Sequence, residues 1–131
     1  MALGAGIDII AIRRMQEVLA NSGASAFLRK VFTPTERARS EQHPEPVVYL
    51  AKLFAAKEAV FKTFGIAGSA EVQFTEIEIQ EGASGEPLVA LTGRFAELAR
   101  ERGAARVLVS LSYDGDYAVA MAVLSETQVR R

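Results

Sequence analysis

The chain contains no cysteine and no tryptophan. Without cysteine there is no disulfide, no thiolate metal site and no thiol nucleophile. Histidine is nearly absent too: His43, the only one, opens the rigid break His43-Pro44-Glu45-Pro46 and reads as an exposed loop residue. Charge of one sign is also missing. Lys and Arg number 15 against 16 Asp and Glu, a net charge of -1, so no general pull toward nucleic acid is expected. No apolar run approaches the roughly 20 residues of a membrane span, and none is expected. The N-terminus lacks a basic segment followed by an apolar core, so no secretion signal is expected and a cytoplasmic location fits. Internal repeats and low-complexity segments are absent. What is present is ordinary for a globular protein: 131 residues, half of them hydrophobic, enough for one domain over residues 1–131.

Residues 3–10 read as a buried strand, apolar and β-branched at Ile7, Ile9 and Ile10. Residues 12–21 read as a short helix with Ile12, Met15 and Leu19 on one face, ended by Gly23. No element is assigned between Gly23 and Thr33. Thr33-Pro34-Thr35-Glu36 is a helix start, with Thr33 as cap, Pro34 in the first turn and Glu36 closing a capping box; the helix stops before Pro44. The longest helix spans Val47 to Phe64, closed by Gly65, with a wide apolar stripe that marks it as central. Strands follow at 72–80 and 88–92, then a helix at 94–102 and a hairpin of strands 105–112 and 116–124 turning through Asp114-Gly115, a type I′ signal. Helices and strands do not alternate regularly. The expectation is an α+β fold with a largely antiparallel sheet packed on the long helix.

Two features carry chemistry. Glu58 and Lys62 are one turn apart on the long helix and share a face, with Ala55, Ala56 and Ala59 around them leaving room for a close approach. Taken alone, they read as a solvated surface ion pair. The second feature is Asp8, a carboxylate inside an otherwise apolar strand. Such a group needs a partner, a metal or a turn that caps it. Arg13, Arg14, Arg29, Lys30, Arg37 and Arg39 face only Glu17 and Glu36 over residues 11–40. That is either a solvated helical surface or a face for an acidic partner. The Gly65–Gly68 loop reads as a plain helix cap or as backbone free to approach phosphate. Ser110 and Ser112 share one face of their strand and read as surface or as ligand contacts.

Gly6-Ile7-Asp8 followed by Phe54-Ala55-Ala56-Lys57-Glu58-Ala59 and Lys62 resembles the signature of the phosphopantetheinyl transferases, in the short form of holo-acyl-carrier-protein synthases. Phe27-Leu28, Val31-Phe32-Thr33-Pro34, Val109-Ser110-Leu111-Ser112 and Asp116-Tyr117-Ala118-Val119-Ala120 extend it over nearly the whole chain. The resemblance implies transfer of the phosphopantetheine arm of coenzyme A to a serine of an acyl carrier protein of fatty acid or polyketide biosynthesis. It implies Asp8 and Glu58 as Mg²⁺ ligands, with Glu58 also helping to deprotonate the serine. Lys62 would sit on the phosphates, with Gly65, Ser112 and Tyr113 near coenzyme A. Arg14, with Arg13, Arg29 and Lys30, would dock the acidic carrier, and Lys57 would be a supporting or surface charge. Phe27 would pack in the core. A homotrimer with sites between subunits is also implied.

Three positions depart from the family pattern: Ala11 replaces a usual Glu, Leu53 a usual Arg and Tyr113 a usual His. In the family the Arg and His serve the 3′-phosphate end of coenzyme A, and a charged hydrogen bond to phosphate contributes about 1.5–3 kcal/mol. Lys52 or His43 would have to compensate. Two readings follow: an active transferase with an altered nucleotide subsite, or a member that binds a carrier or acts on its arm-bound substrate without transferring the arm.

Overall fold

A computed structural model describes residues 1–66 and 73–126. The chain runs β1 (Ala2–Ala11), α1 (Ile12–Ala20), α2 (Ala24–Val31), α3 (Pro34–Gln42), α4 (Pro46–Thr63), a single 3-10 turn (Phe74–Glu76), β2 (Ile77–Glu81), β3 (Pro87–Leu91), α5 (Gly93–Glu101), β4 (Ala104–Asp114) and β5 (Tyr117–Glu126). All described strand pairs are antiparallel: one sheet has the order β1-β5-β4, the other pairs β2 with β3. This is the expected α+β fold, built on the expected long helix.

The central contact is α4 against the first sheet, and small residues on both sides bring the two close. Ala55, Ala56 and Ala59 of α4 and Ala118, Ala120 and Ala122 of β5 are buried. The approach is tightest at β1. A Cβ on Gly4 would stand 2.0 Å from the Thr63 carbonyl oxygen, and one on Gly6 2.0 Å from that of Ala59. No side chain fits there, so glycine at both positions sets the helix-to-strand distance. Strand side chains alternate between faces. Gly4, Gly6 and Asp8 therefore share the face that meets α4.

The other face of β1 is open. Ile7 and Ile9 are 66% and 64% exposed, and Met121, the cross-strand partner of Ile7, is 53% exposed. The expectation of a buried strand is corrected in part: in a single chain only one face of β1 is covered.

All seven phenylalanines join one path of ring contacts, from Phe32 and Phe27 through Phe54, Phe74 and Phe61 to Phe95 and Phe64, with centroids 5.2–6.2 Å apart. This path ties α2, α4 and α5 into one core.

Four local differences from expectation have physical reasons. Helix α2 was not legible because its N-cap, Gly23, has no side chain to cap with and only Val31 is fully buried. Residues 74–76 form a 3-10 turn before the strand begins at Ile77, while residue 72 and Ala67–Ser69 of the glycine loop lie outside the described residues. The hairpin loop is Gly115-Asp116, since Asp114 pairs with Tyr117. Only Gly115 has positive φ (58°), which matches type II′ rather than type I′. His43 is half-buried, stacked on Tyr49 with centroids 4.9 Å apart, rather than free in a loop.

Candidate active site

Asp8 and Glu58 line the same cleft, of about 380 Å³, between β1, α1, α2 and α4. Arg14 stands at its wall, and Met15, Phe27 and Phe54 give it an apolar floor. Phe27 is thus both part of the aromatic path and a surface of the cleft. Asp8 reaches the cleft because β1 alternation turns it toward α4. Glu58 and Lys62 reach the same region because they lie one helical turn apart.

Lys62 stands beside the cleft. Its Nζ donates to Asp8 Oδ1 at 3.1 Å and to the Ile7 carbonyl at 3.0 Å. Asp8 therefore has a cation partner. Glu58 has no ion pair among the described residues, and burial pushes its carboxyl above the ordinary range; the charge of Asp8 adds to that push and Lys62 opposes it. Two carboxylates facing one space, one of them costly to ionise, form a donor set that a divalent cation would relieve. Among the described residues no group of three His, Asp or Glu gathers anywhere. Two carboxylates are nonetheless the usual protein share for Mg²⁺, whose other ligands are waters and phosphate oxygens. The residues present fit such an ion.

Other predicted residues are placed elsewhere. Gly65 ends α4 with positive φ (63°), and its amide donates to the Lys62 carbonyl, so that N–H is already used. A Cβ placed on Gly65 would meet nothing within 4 Å, so its positive φ rather than crowding favours glycine there. Arg13 is exposed, and Arg29 donates to Ser25 at 2.6 Å on the surface of α2. Ser112 and Tyr113 lie on β4, separated from β1 by β5, so one chain does not bring them to Asp8. Ser112 faces outward with Val119, and the Tyr113 ring lies under Lys52 Nζ at 5.5 Å. Leu53 is buried. With Ser110, Lys52 and Arg39 it lines a second cleft of about 250 Å³.

Of the two readings of Lys57, a supporting or a surface charge, the surface one is corrected: it is fully buried. Its Nζ lies 2.6 Å from Glu36 Oε1 and donates to the carbonyls of Phe74 (3.0 Å) and Ile77 (2.7 Å). Glu36 accepts from Thr33 N at 2.9 Å, completing the expected capping box, and from Ile79 N at 2.7 Å. Burial lowers the Lys57 pKa, and Glu36 opposes that shift. The pair locks α4 to α3 and β2 on the side away from Asp8. The missed signal was legible: Leu50, Leu53, Lys57, Val60 and Phe64 follow one helical stripe, and Lys57 interrupts four apolar residues.

The 4′-phosphopantetheinyl transferase superfamily profile matches residues 4–122. A holo-[acyl-carrier-protein] synthase of Desulforudis audaxviator is 41% identical over 123 residues, spanning 94% of this chain and 92% of the relative. The solved holo-[acyl-carrier-protein] synthase of Neisseria meningitidis superposes with a TM-score of 0.87 at 34% identity, over 96% of this chain and all of that one (100%). The Bacillus anthracis holo-(acyl-carrier-protein) synthase in complex with CoA (3′,5′-ADP) does so with a TM-score of 0.78 at 29% identity, over 97% and 99% of the two chains. A cleft that joins the Asp8 strand to the Glu58 helix thus sits in a chain matched to these synthases from end to end: it belongs to the holo-acyl-carrier-protein synthase family of the 4′-phosphopantetheinyl transferase superfamily, and is a phosphopantetheinyl transferase.

Proposed function

We propose that this transferase moves the 4′-phosphopantetheine arm of coenzyme A to a serine of an apo acyl carrier protein, with Mg²⁺ held by Asp8 and Glu58. The observation that carries the reading is the convergence of those two carboxylates on one cleft, with Lys62 bonded to Asp8. The carrier serine oxygen attacks the phosphorus that bears the pantetheine arm. A new oxygen–phosphorus bond forms, the bridging bond of the diphosphate breaks, and 3′,5′-adenosine diphosphate leaves. The ion, when bound, supplies Lewis-acid stabilisation of the charge that builds on the phosphate oxygens. Glu58, more basic than an ordinary carboxylate because of burial and Asp8, takes the serine proton directly or through water. Lys62 is half-exposed and long enough to turn to the diphosphate and steady the leaving group. Arg14 at the cleft wall, with Arg13 and Arg29 on neighbouring surface, meets the acidic carrier.

The open outer face of the sheet, with Ile7, Ile9, Met121 and Leu108 exposed, supports self-association of this chain, and we take a homotrimer as its form. In such an assembly Ser112 and Tyr113 of one copy would serve coenzyme A held at another. The non-transferring alternative draws no support from the cleft, where Asp8, Glu58 and Lys62 are all in register.

The test is intact-mass measurement of an apo carrier incubated with this protein, Mg²⁺ and coenzyme A. A gain of one phosphopantetheine arm is expected, and its loss with Glu58→Ala while the circular dichroism stays unchanged. Full transfer by Glu58→Ala would remove the metal assignment. Sedimentation of the wild type should give a mass above that of one chain.

A further inference from the structure

Lys62 has a choice of carboxylates. Glu58 lies four residues before it on the same helix, the usual spacing for a helical ion pair. Its ammonium instead crosses to β1, held by Asp8 Oδ1 at 3.1 Å and the Ile7 carbonyl at 3.0 Å. The Lys62 side chain is 49% exposed and that of Asp8 18%. The lysine is therefore free to swing, while the carboxylate it covers is mostly enclosed. A cation on Asp8 and the ammonium already there repel each other, and in a partly enclosed site that repulsion is poorly screened. A diphosphate changes the balance: it offers the ammonium a richer set of acceptors a short swing away.

We infer that Lys62 is a resident counter-ion on Asp8, which holds down divalent-cation affinity in the empty site and yields Asp8 when the diphosphate of coenzyme A arrives. The inference rests on the reading of Asp8 and Glu58 as the cation ligands. Its consequence is an ordered preference. The cation binds weakly alone and tightly with coenzyme A, and by linkage coenzyme A gains from the cation by the same factor. The empty enzyme is thereby kept from being filled by whichever divalent ion is at hand. Lys62 then works in opposite directions on the two ligands, against the bare cation and for the diphosphate. A lysine that merely stabilised the fold would act on both alike.

The experiment titrates Mn²⁺, followed by its electron paramagnetic resonance signal, into the full chain as wild type, Lys62→Met, Lys62→Arg and Asp8→Asn. Coenzyme A affinity is measured in parallel by calorimetry. Lys62→Met is expected to bind Mn²⁺ alone about 5- to 10-fold more tightly than wild type and coenzyme A at least about 10-fold more weakly, within the usual range of site-to-site coupling. Lys62→Arg, which keeps the positive charge, should stay near wild type for Mn²⁺. Unchanged or weaker Mn²⁺ binding in Lys62→Met, with binding still lost in Asp8→Asn, overturns the counter-ion role and leaves the cation site standing. Mn²⁺ binding that ignores Asp8→Asn overturns both.

Discussion

Lys57 and Lys62 sit on the same helix, each against a carboxylate, and the two pairs could hardly differ more. Lys57 and Glu36 are both 0% exposed, and the Lys57 ammonium has three acceptors within 3.0 Å. Lys62 and Asp8 are 49% and 18% exposed, and the pair opens on a cleft. A sealed pair with every donor satisfied cannot take part in chemistry without unfolding what surrounds it. An open pair beside a carboxylate that has no ion pair among the described residues can exchange its partner. The same residue types therefore do different work, and burial decides which.

The largest effect should come from the sealed side. Removing one partner leaves an uncompensated buried charge, so Lys57→Met is expected to lower stability by about 3–5 kcal/mol in urea unfolding. Lys62→Met should change it by less than about 1 kcal/mol, as exposed pairs do. Equal losses in the two variants would break the comparison. On the open side the loss should fall on rate instead: Lys62→Met is expected to reduce transfer roughly 100-fold, the scale of one missing transition-state donor. Gly6→Ala tests the spacing beneath the open pair. Its Cβ would meet the Ala59 carbonyl at 2.0 Å, so α4 must retreat, with a cost of about 1–3 kcal/mol from overpacking and a fall in activity beyond what Ala5→Gly causes on the outer face. Thr33→Ala removes the cap that shares Glu36 and should cost about 1 kcal/mol in thermal unfolding with transfer unchanged.

The smallest effect is a pH dependence. The folded chain raises the Glu58 pKa, so ionising Glu58 costs stability once the pH passes from the ordinary carboxylate range through the raised value. Glu58→Gln should therefore be more stable than wild type at neutral pH. That advantage should fade as the pH falls below about 4, where the wild-type side chain is protonated in both states. An advantage that grows toward acid would contradict the burial of Glu58.

Much of the fold was legible because local signals and tertiary packing agree. Thr33 to Glu36 reads as a capping box and is one, and the stripe of α4 reads as central and is buried on nearly all sides. Asp8, Glu58 and Lys62 could be singled out because a charge in an apolar strand and an acid–base pair one turn apart are each visible in a short window, while their proposed roles come from the family resemblance. What was not legible depends on distant neighbours. The burial of Lys57 could be read from its helical stripe, but its partners, Glu36 and the Ile77 carbonyl, could not. Gly4 and Gly6 look like loose spacers until the helix backbone arrives. Ile7 and Ile9 look like core residues, and nothing in their own neighbourhood says which side of the strand the helix will cover. The separation of Tyr113 from Asp8 is likewise a matter of strand order, which no local pattern encodes.

Ile7 joins these threads. Its carbonyl is the second perch of the Lys62 ammonium, while its side chain stands on the bare outer surface of the sheet. Pressure applied to that surface by a neighbouring molecule would reach the lysine through a single peptide unit, with no relay of side chains between. On the proposed reading, contact between copies and the grip on the diphosphate would be two sides of one strand, so a mutation that tunes either would retune the other.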